Sequence, residues 1–99
     1  MKLMTKAIAK TLPKLHTGNG IARLKFFGGS CSTWLIVEGE PDGEDYRFYG
    51  FCAPQGLERG EWGEVMLSDL MSCRFPPFGL PVERDRWFKP TKVSELLKP

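Results

Sequence analysis

The chain has 99 residues, 41% hydrophobic and 26% charged, which suits one domain over 1–99 with a real core and is too short for two. This balance argues against extensive disorder, and the lack of a long apolar run argues against a membrane-spanning helix. Lys6 and Lys10 follow Met1-Lys2-Leu3-Met4 with no apolar stretch for a signal peptide, so the chain reads as cytoplasmic with no membrane partner.

Net charge is +2, but it is unevenly distributed. Residues 1–25 carry six basic and no acidic side chains; residues 38–69 carry nine acidic and two basic; residues 70–99 carry six basic and three acidic. A basic surface can meet nucleic acid and an acidic one can imitate it. The simpler expectation is that the patches pair with each other on folding.

Thr5 is a suitable N-cap for a helix over Lys6–Leu12, with Met4, Ile8 and Leu12 on one face, Lys6, Lys10 and Lys14 along another, and Pro13 as its stop. After a loop containing His16 and Asn19-Gly20, the stretch Ile21–Phe27 alternates. Ala22, Leu24 and Phe26 point one way, and Arg23, Lys25 and Phe27 the other. Thr33-Trp34-Leu35-Ile36-Val37 is apolar at both parities, as expected of a central strand covered on both sides. Glu40-Pro41-Asp42-Gly43-Glu44 then turns the chain into a second strand, Tyr46–Cys52, to make an antiparallel hairpin with an acidic, solvated tip. Gly50 marks a bulge or a close backbone approach.

Glu61–Leu67 reads as another short strand, and Ser68 as the cap of a single helical turn, Asp69–Ser72. A proline-rich extended segment leads to a final short helix from Val93, packed through Leu96 and Leu97. The expected class is α+β: a small antiparallel sheet of three to four strands, an N-terminal helix and short C-terminal helices.

Cys31, Cys52 and Cys73 lack Cys-x-x-Cys spacing, and His16 is the sole histidine, so neither a zinc site nor an activated thiol is indicated. The expectation for all three is small, buried thiols. No phosphate loop, GxSxG or HExxH motif occurs, and no cofactor or metal is called for.

The stretch Glu83-Arg84-Asp85-Arg86, framed by prolines and aromatics, is the one charge run that asks for an explanation. On an extended chain Glu83 and Asp85 share one side and Arg84 and Arg86 the other. One expectation is structural: a carboxylate–arginine pair ties the tail to the sheet. The other is a metal-dependent nuclease, with Glu83, Asp85 and Glu38 as ligands and Arg84, Arg86 and Lys89 on phosphate. Arg23, Lys25, Arg47 and Tyr49, at like parity on strands expected to be adjacent, form a candidate binding face. Trp87 joins the candidates as an aromatic among cations, suited to a base or a protein partner.

Leu12-Pro13 with Leu15, Phe26-Phe27, Trp34, Glu38, Phe48-Tyr49-Gly50, Gly63, Leu67-Ser68 and Leu70 form a pattern, densest at Gly79–Asp85 and Phe88-Lys89-Pro90. In these positions the sequence resembles the bacterial domain-of-unknown-function 2958 family nearly end to end. It departs at Trp87, where tyrosine is usual, and in Pro76-Pro77. The resemblance implies a bacterial intracellular protein, often carried on plasmids, conjugative elements or prophages, and brings no established activity. Some relatives are labelled single-stranded DNA endonucleases, and small mobile-element proteins include inhibitors of host defence such as anti-CRISPR proteins. Two functions follow as expectations. The first is a non-enzymatic binding protein of a mobile element, acting on a protein or nucleoprotein partner. The alternative is a single-stranded nucleic-acid-binding protein or a metal-dependent single-stranded DNA endonuclease.

Overall fold

The computed structural model describes residues 3–98, and its main body is a five-stranded antiparallel sheet. In chain order the strands are β1 (Ile21–Ala22), β2 (Leu24–Gly28), β3 (Ser32–Asp42), β4 (Asp45–Ala53), β5 (Glu61–Met66), β6 (Arg74–Phe75), β7 (Leu80–Pro81), β8 (Glu83–Arg84) and β9 (Thr91–Lys92). The main sheet runs β5-β4-β3-β2-β8, and β1-β9 and β6-β7 form two small ribbons. Helices are short: α1 (Lys6–Ala9), α2 (Leu67–Ser72) and α3 (Val93–Leu96). Among the described residues no helix is long and apolar enough to cross a membrane.

The sheet is larger than the expected three to four strands, because the proline-rich tail contributes β8 to its edge. The expected helix over Lys6–Leu12 is also corrected. Thr5 accepts from the Ile8 N–H at 3.1 Å as foreseen, but the helix closes after one turn and adds no helical layer. Nor does the lysine stripe form, since Lys10 is already the C-cap and Lys14 lies beyond it.

β3 is buried on both faces, as its uninterrupted apolar run requires. Trp34 and Ile36 face one core with Leu24, Phe26 and Phe48, closed by Leu12, Leu70 and Val82. Leu35 and Val37 face the other with Phe51 and Ala53, closed by Val93 of α3 and flanked by Phe88 and Leu96. Phe26 and Phe48 sit two strands apart yet touch across β3 on the first face, with ring centroids 5.5 Å apart.

The alternation over Ile21–Phe27 misleads at one point. Ala22 lies in the second core and Leu24 in the first, because the strand breaks at Arg23 and β1 pairs with β9 instead. β3 and β4 close through the two-residue turn Gly43-Glu44, with Gly43 at a φ of +61°. Their register shifts between Ile36 and Glu38, so Val37 is the bulged residue.

Gly50 lies opposite Ile36, beside the bulge, and a Cβ there would approach the Leu35 carbonyl oxygen to 2.1 Å. The obstacle is main chain in the middle of the sheet, which cannot step aside. Gly50→Ala is therefore expected to cost about 3 kcal/mol, the upper end for overpacking, read as a lowered midpoint in urea unfolding.

Candidate functional site

The stretch Leu80–Pro90 is attached by its main chain. β8 pairs with β2, Arg84 opposite Phe26 and Glu83 opposite Phe27, and the Asp85 N–H donates to the Lys25 carbonyl at 2.9 Å. Val82 is buried in the first core just before this pairing. The expectation that the segment ties the tail to the sheet holds, but the expected carboxylate–arginine pair is not the means. Among the described residues the ion pairs are Arg47–Asp42 and Arg47–Glu64. Edge pairing satisfies backbone groups without desolvating charges, and half-buried Arg84 adds a bond from its Nη1 to the Leu3 carbonyl at 3.4 Å.

Past β8, Asp85 organises a turn. Its Oδ1 accepts from the Trp87 N–H at 2.9 Å, and its carbonyl accepts from the Phe88 N–H at 3.3 Å. The turn directs Phe88 into the second core and leaves Trp87 outside, 87% exposed. Trp87, Arg86, Asp85 and Glu83 thus wall a groove of about 350 Å³ whose other side is Lys25 and Phe27 of β2. Phe27 is itself 37% exposed. Two aromatic surfaces, a lysine and an arginine share one open groove on the sheet edge.

Six of the sequence candidates meet here: Lys25, Glu83, Arg84, Asp85, Arg86 and Trp87. Arg23 is close by, walling a neighbouring groove with Arg84 and Arg86. Lys89 is exposed outside both grooves. Arg47 and Tyr49 do not join them. They lie on β4, which β3 separates from β2, and neither lines a groove with Arg23 or Lys25. Arg47 instead holds Asp42 at 2.6 Å and Glu64 at 2.8 Å, bonds that push its guanidinium pKa up and bind the hairpin end to β5. Tyr49 stacks on Trp62, centroids 5.8 Å apart.

Glu38 is likewise assigned elsewhere. It is 5% exposed, and its carboxylate accepts from the His16 N–H at 2.8 Å and the Gly18 N–H at 2.6 Å. Leu15 N–H donates to the neighbouring Glu40 at 3.1 Å. Both acids therefore fasten the loop that enters β1, and hold His16 in the left-handed region at φ +68°. No group of three or more His, Cys, Asp or Glu side chains poised to hold a metal ion occurs among the described residues.

Sequence reading missed Phe27, although an aromatic at the parity of Lys25 was its visible signal. It also missed Asp45. The acidic tip is not simply solvated: Asp45 accepts from both the N–H and the hydroxyl of Ser68, at 3.1 and 2.5 Å, and from the Tyr46 N–H at 2.8 Å. Ser68 is then not the cap of α2 but the donor through which Asp45 caps it from another strand. The cysteines are not uniformly buried either: Cys31 is exposed at a turn, Cys73 half-buried, and partial burial pushes the Cys52 thiol pKa up.

A family model described as "Protein of unknown function (DUF2958)" matches residues 3–98. No curated protein and no solved structure matches the chain.

Two measurements check these assignments. Glu38→Ala leaves two amides of a tight loop without acceptors and should lower unfolding free energy by about 3 kcal/mol, with Glu38→Gln intermediate, by chemical denaturation. Asp45 is held below its ordinary carboxyl pKa of 3.8, chiefly by the Ser68 hydroxyl and then by the Tyr46 amide. Its contribution is present in full above that unfolded value and is lost as pH falls through the lower folded one. Acid titration by circular dichroism should show Asp45→Asn less stable than wild type at neutral pH, with the gap narrowing below about pH 3.8.

Proposed function

The chain belongs to the DUF2958 family, and on that premise we propose that it is a non-enzymatic binding protein whose contact surface is the groove between β2 and the Glu83–Trp87 segment. The supporting observation is Trp87, held 87% exposed by a turn that Asp85 braces. A tryptophan left in water next to Phe27, Lys25 and Arg86 matches the anchors that dominate binding energy when a partner buries them. The partner is a protein or nucleoprotein complex of a bacterial host or mobile element, met in the cytoplasm. Inhibition of host defence, in the manner of anti-CRISPR proteins, is the role that this setting favours.

A nuclease reading is less well supported. Glu38 is committed to backbone amides, and Glu83 and Asp85 share their groove with Lys25 and Arg86 rather than with a third ligand.

Immobilised protein incubated with lysate of a bacterium carrying defence complexes should retain a discrete partner. Trp87→Ala and Phe27→Ala should each weaken that capture about tenfold or more. Equal capture by folded variants would remove the groove from consideration. Single-stranded DNA incubated with the protein and magnesium or manganese should stay intact. Cleavage that disappears in Glu83→Gln would overturn the non-enzymatic assignment.

A further inference from the structure

The main sheet has two edges, and they are finished differently. At one end β8 supplies two residues, Glu83 and Arg84, directly after Pro81 and Val82. At the other end β5 is outermost with six residues, Glu61–Met66, and its register with β4 is unbroken along its whole length. Among the described residues no strand pairs with the outer side of β5. An edge strand turns alternate N–H and C=O groups outward, and proteins ordinarily blunt such an edge with proline, lysine or a bulge. β5 carries none of these.

Its side chains divide by face. Trp62 and Glu64 lie opposite Phe51 and Tyr49, while Glu61 and Gly63 lie opposite Cys52 and Gly50. Trp62 is 46% exposed and is held in place by Tyr49, stacked at 5.8 Å, and by Phe51, edge-on at 5.9 Å. At Gly63 nothing lies within 4 Å of where a Cβ would be, and Glu61, Trp62 and Gly63 wall a groove of about 380 Å³ there with Arg59 and Cys52. Charge at this edge is negative. Arg47 is shared by Asp42 and Glu64, Glu61 has no ion pair among the described residues, and Glu58 is exposed. With Arg59 counted, these four acids stand against two arginines.

We infer that the outer edge of β5 is a strand-addition site for an extended, basic segment of a partner protein. Main-chain bonds to the ladder supply the affinity, and alternate side chains supply the selectivity. A lysine or arginine of the added strand seats over Gly63 with its head toward Glu61, and the next residue, apolar and on the other face, covers Trp62. A second copy of this chain is a poor occupant. Pairing β5 with itself would gather two copies each of Glu61 and Glu64 on one ladder, and like charges on facing strands destabilise it. The site stands apart from the groove at Trp87, which lies on β2 and the tail, so neither depends on the other.

The probe is a fluorescein-labelled peptide alternating lysine and valine, long enough to span the six residues of β5, followed by anisotropy. Wild type should bind it, and a counterpart alternating glutamate and valine should bind at least about tenfold more weakly. Glu61→Lys and Trp62→Ala should each weaken binding of the lysine peptide about tenfold. Gly63→Val separates binding from folding. Valine suits a strand and its Cβ has room, so the unfolding midpoint should not fall, yet the side chain fills the seat and binding should drop about tenfold. Trp87→Ala should bind the peptide as wild type does. Hydrogen exchange reads the ladder itself: amides of Glu61–Met66 that exchange quickly in the protein alone should slow when peptide is added.

Failure of the lysine peptide to bind at low salt overturns the inference, as does equal binding of the glutamate peptide. Binding without slowed exchange in β5 overturns it too, because attraction between charges alone builds no ladder. Binding unchanged in Glu61→Lys and Gly63→Val removes β5 as the site. Protection of β5 that grows with protein concentration in the absence of peptide assigns the edge to a second copy and overturns the basic occupant.

Discussion

Two-sided burial of β3 is the demand that arranges this molecule. Trp34 and Ile36 on one face, Leu35 and Val37 on the other, must all leave water, and among the described residues no long helix lies over either side. Irregular segments do the covering. Leu3, Leu12, Leu70 and Val82 close one core from four separate stretches, and Val93, with Phe88 and Leu96 beside it, closes the other. The C-terminal tail must therefore cross from one face to the other. It makes that crossing at the edge of β2, between buried Val82 and inward-turning Phe88. The residues that cross are Glu83 to Trp87, and the grooves lie there because the crossing does.

The acidic middle of the chain has a structural use. Glu38 and Glu40 accept amides of the loop preceding β1, Asp45 caps α2, and Asp42 and Glu64 hold Arg47. These acids are engaged by backbone amides and by an arginine of their own segment, rather than by the basic residues at the two ends of the chain. Carboxylates accept hydrogen bonds from amides readily, and such bonds need no partner charge. In the groove beside Trp87, Lys25, Arg84 and Arg86 meet Glu83 and Asp85, so both signs of charge share that surface.

Much of the sheet was legible from side-chain period alone. Strands β3 and β4 and their turn follow from alternation, β-branched residues and Asp-Gly, and their residues divide between the two cores at the expected parities. Where the period is broken by the backbone, legibility stops. The bulge at Val37 and the break at Arg23 each shift which face later residues meet, and no residue type announces them with certainty of position. Arg47 and Tyr49 were grouped with Arg23 and Lys25 by parity, yet strand order puts β3 between them. Parity assigns a face; only pairing assigns a neighbour.

The sequence by itself determined the class of fold, the central strand, the family, and the importance of Glu83-Arg84-Asp85-Arg86, because these depend on local period and on residues close together in the chain. Tertiary structure decided where those charges sit. It replaced a side-chain pair with main-chain pairing to β2, withdrew Glu38 and Arg47 into the scaffold, and brought Phe27 and Trp87 to one groove. Those outcomes join residues dozens of positions apart. They follow from which edge the tail docks on, and that choice goes with burial of Val82 in one core and packing of Phe88 against the other, with Asp85 bracing the turn between them.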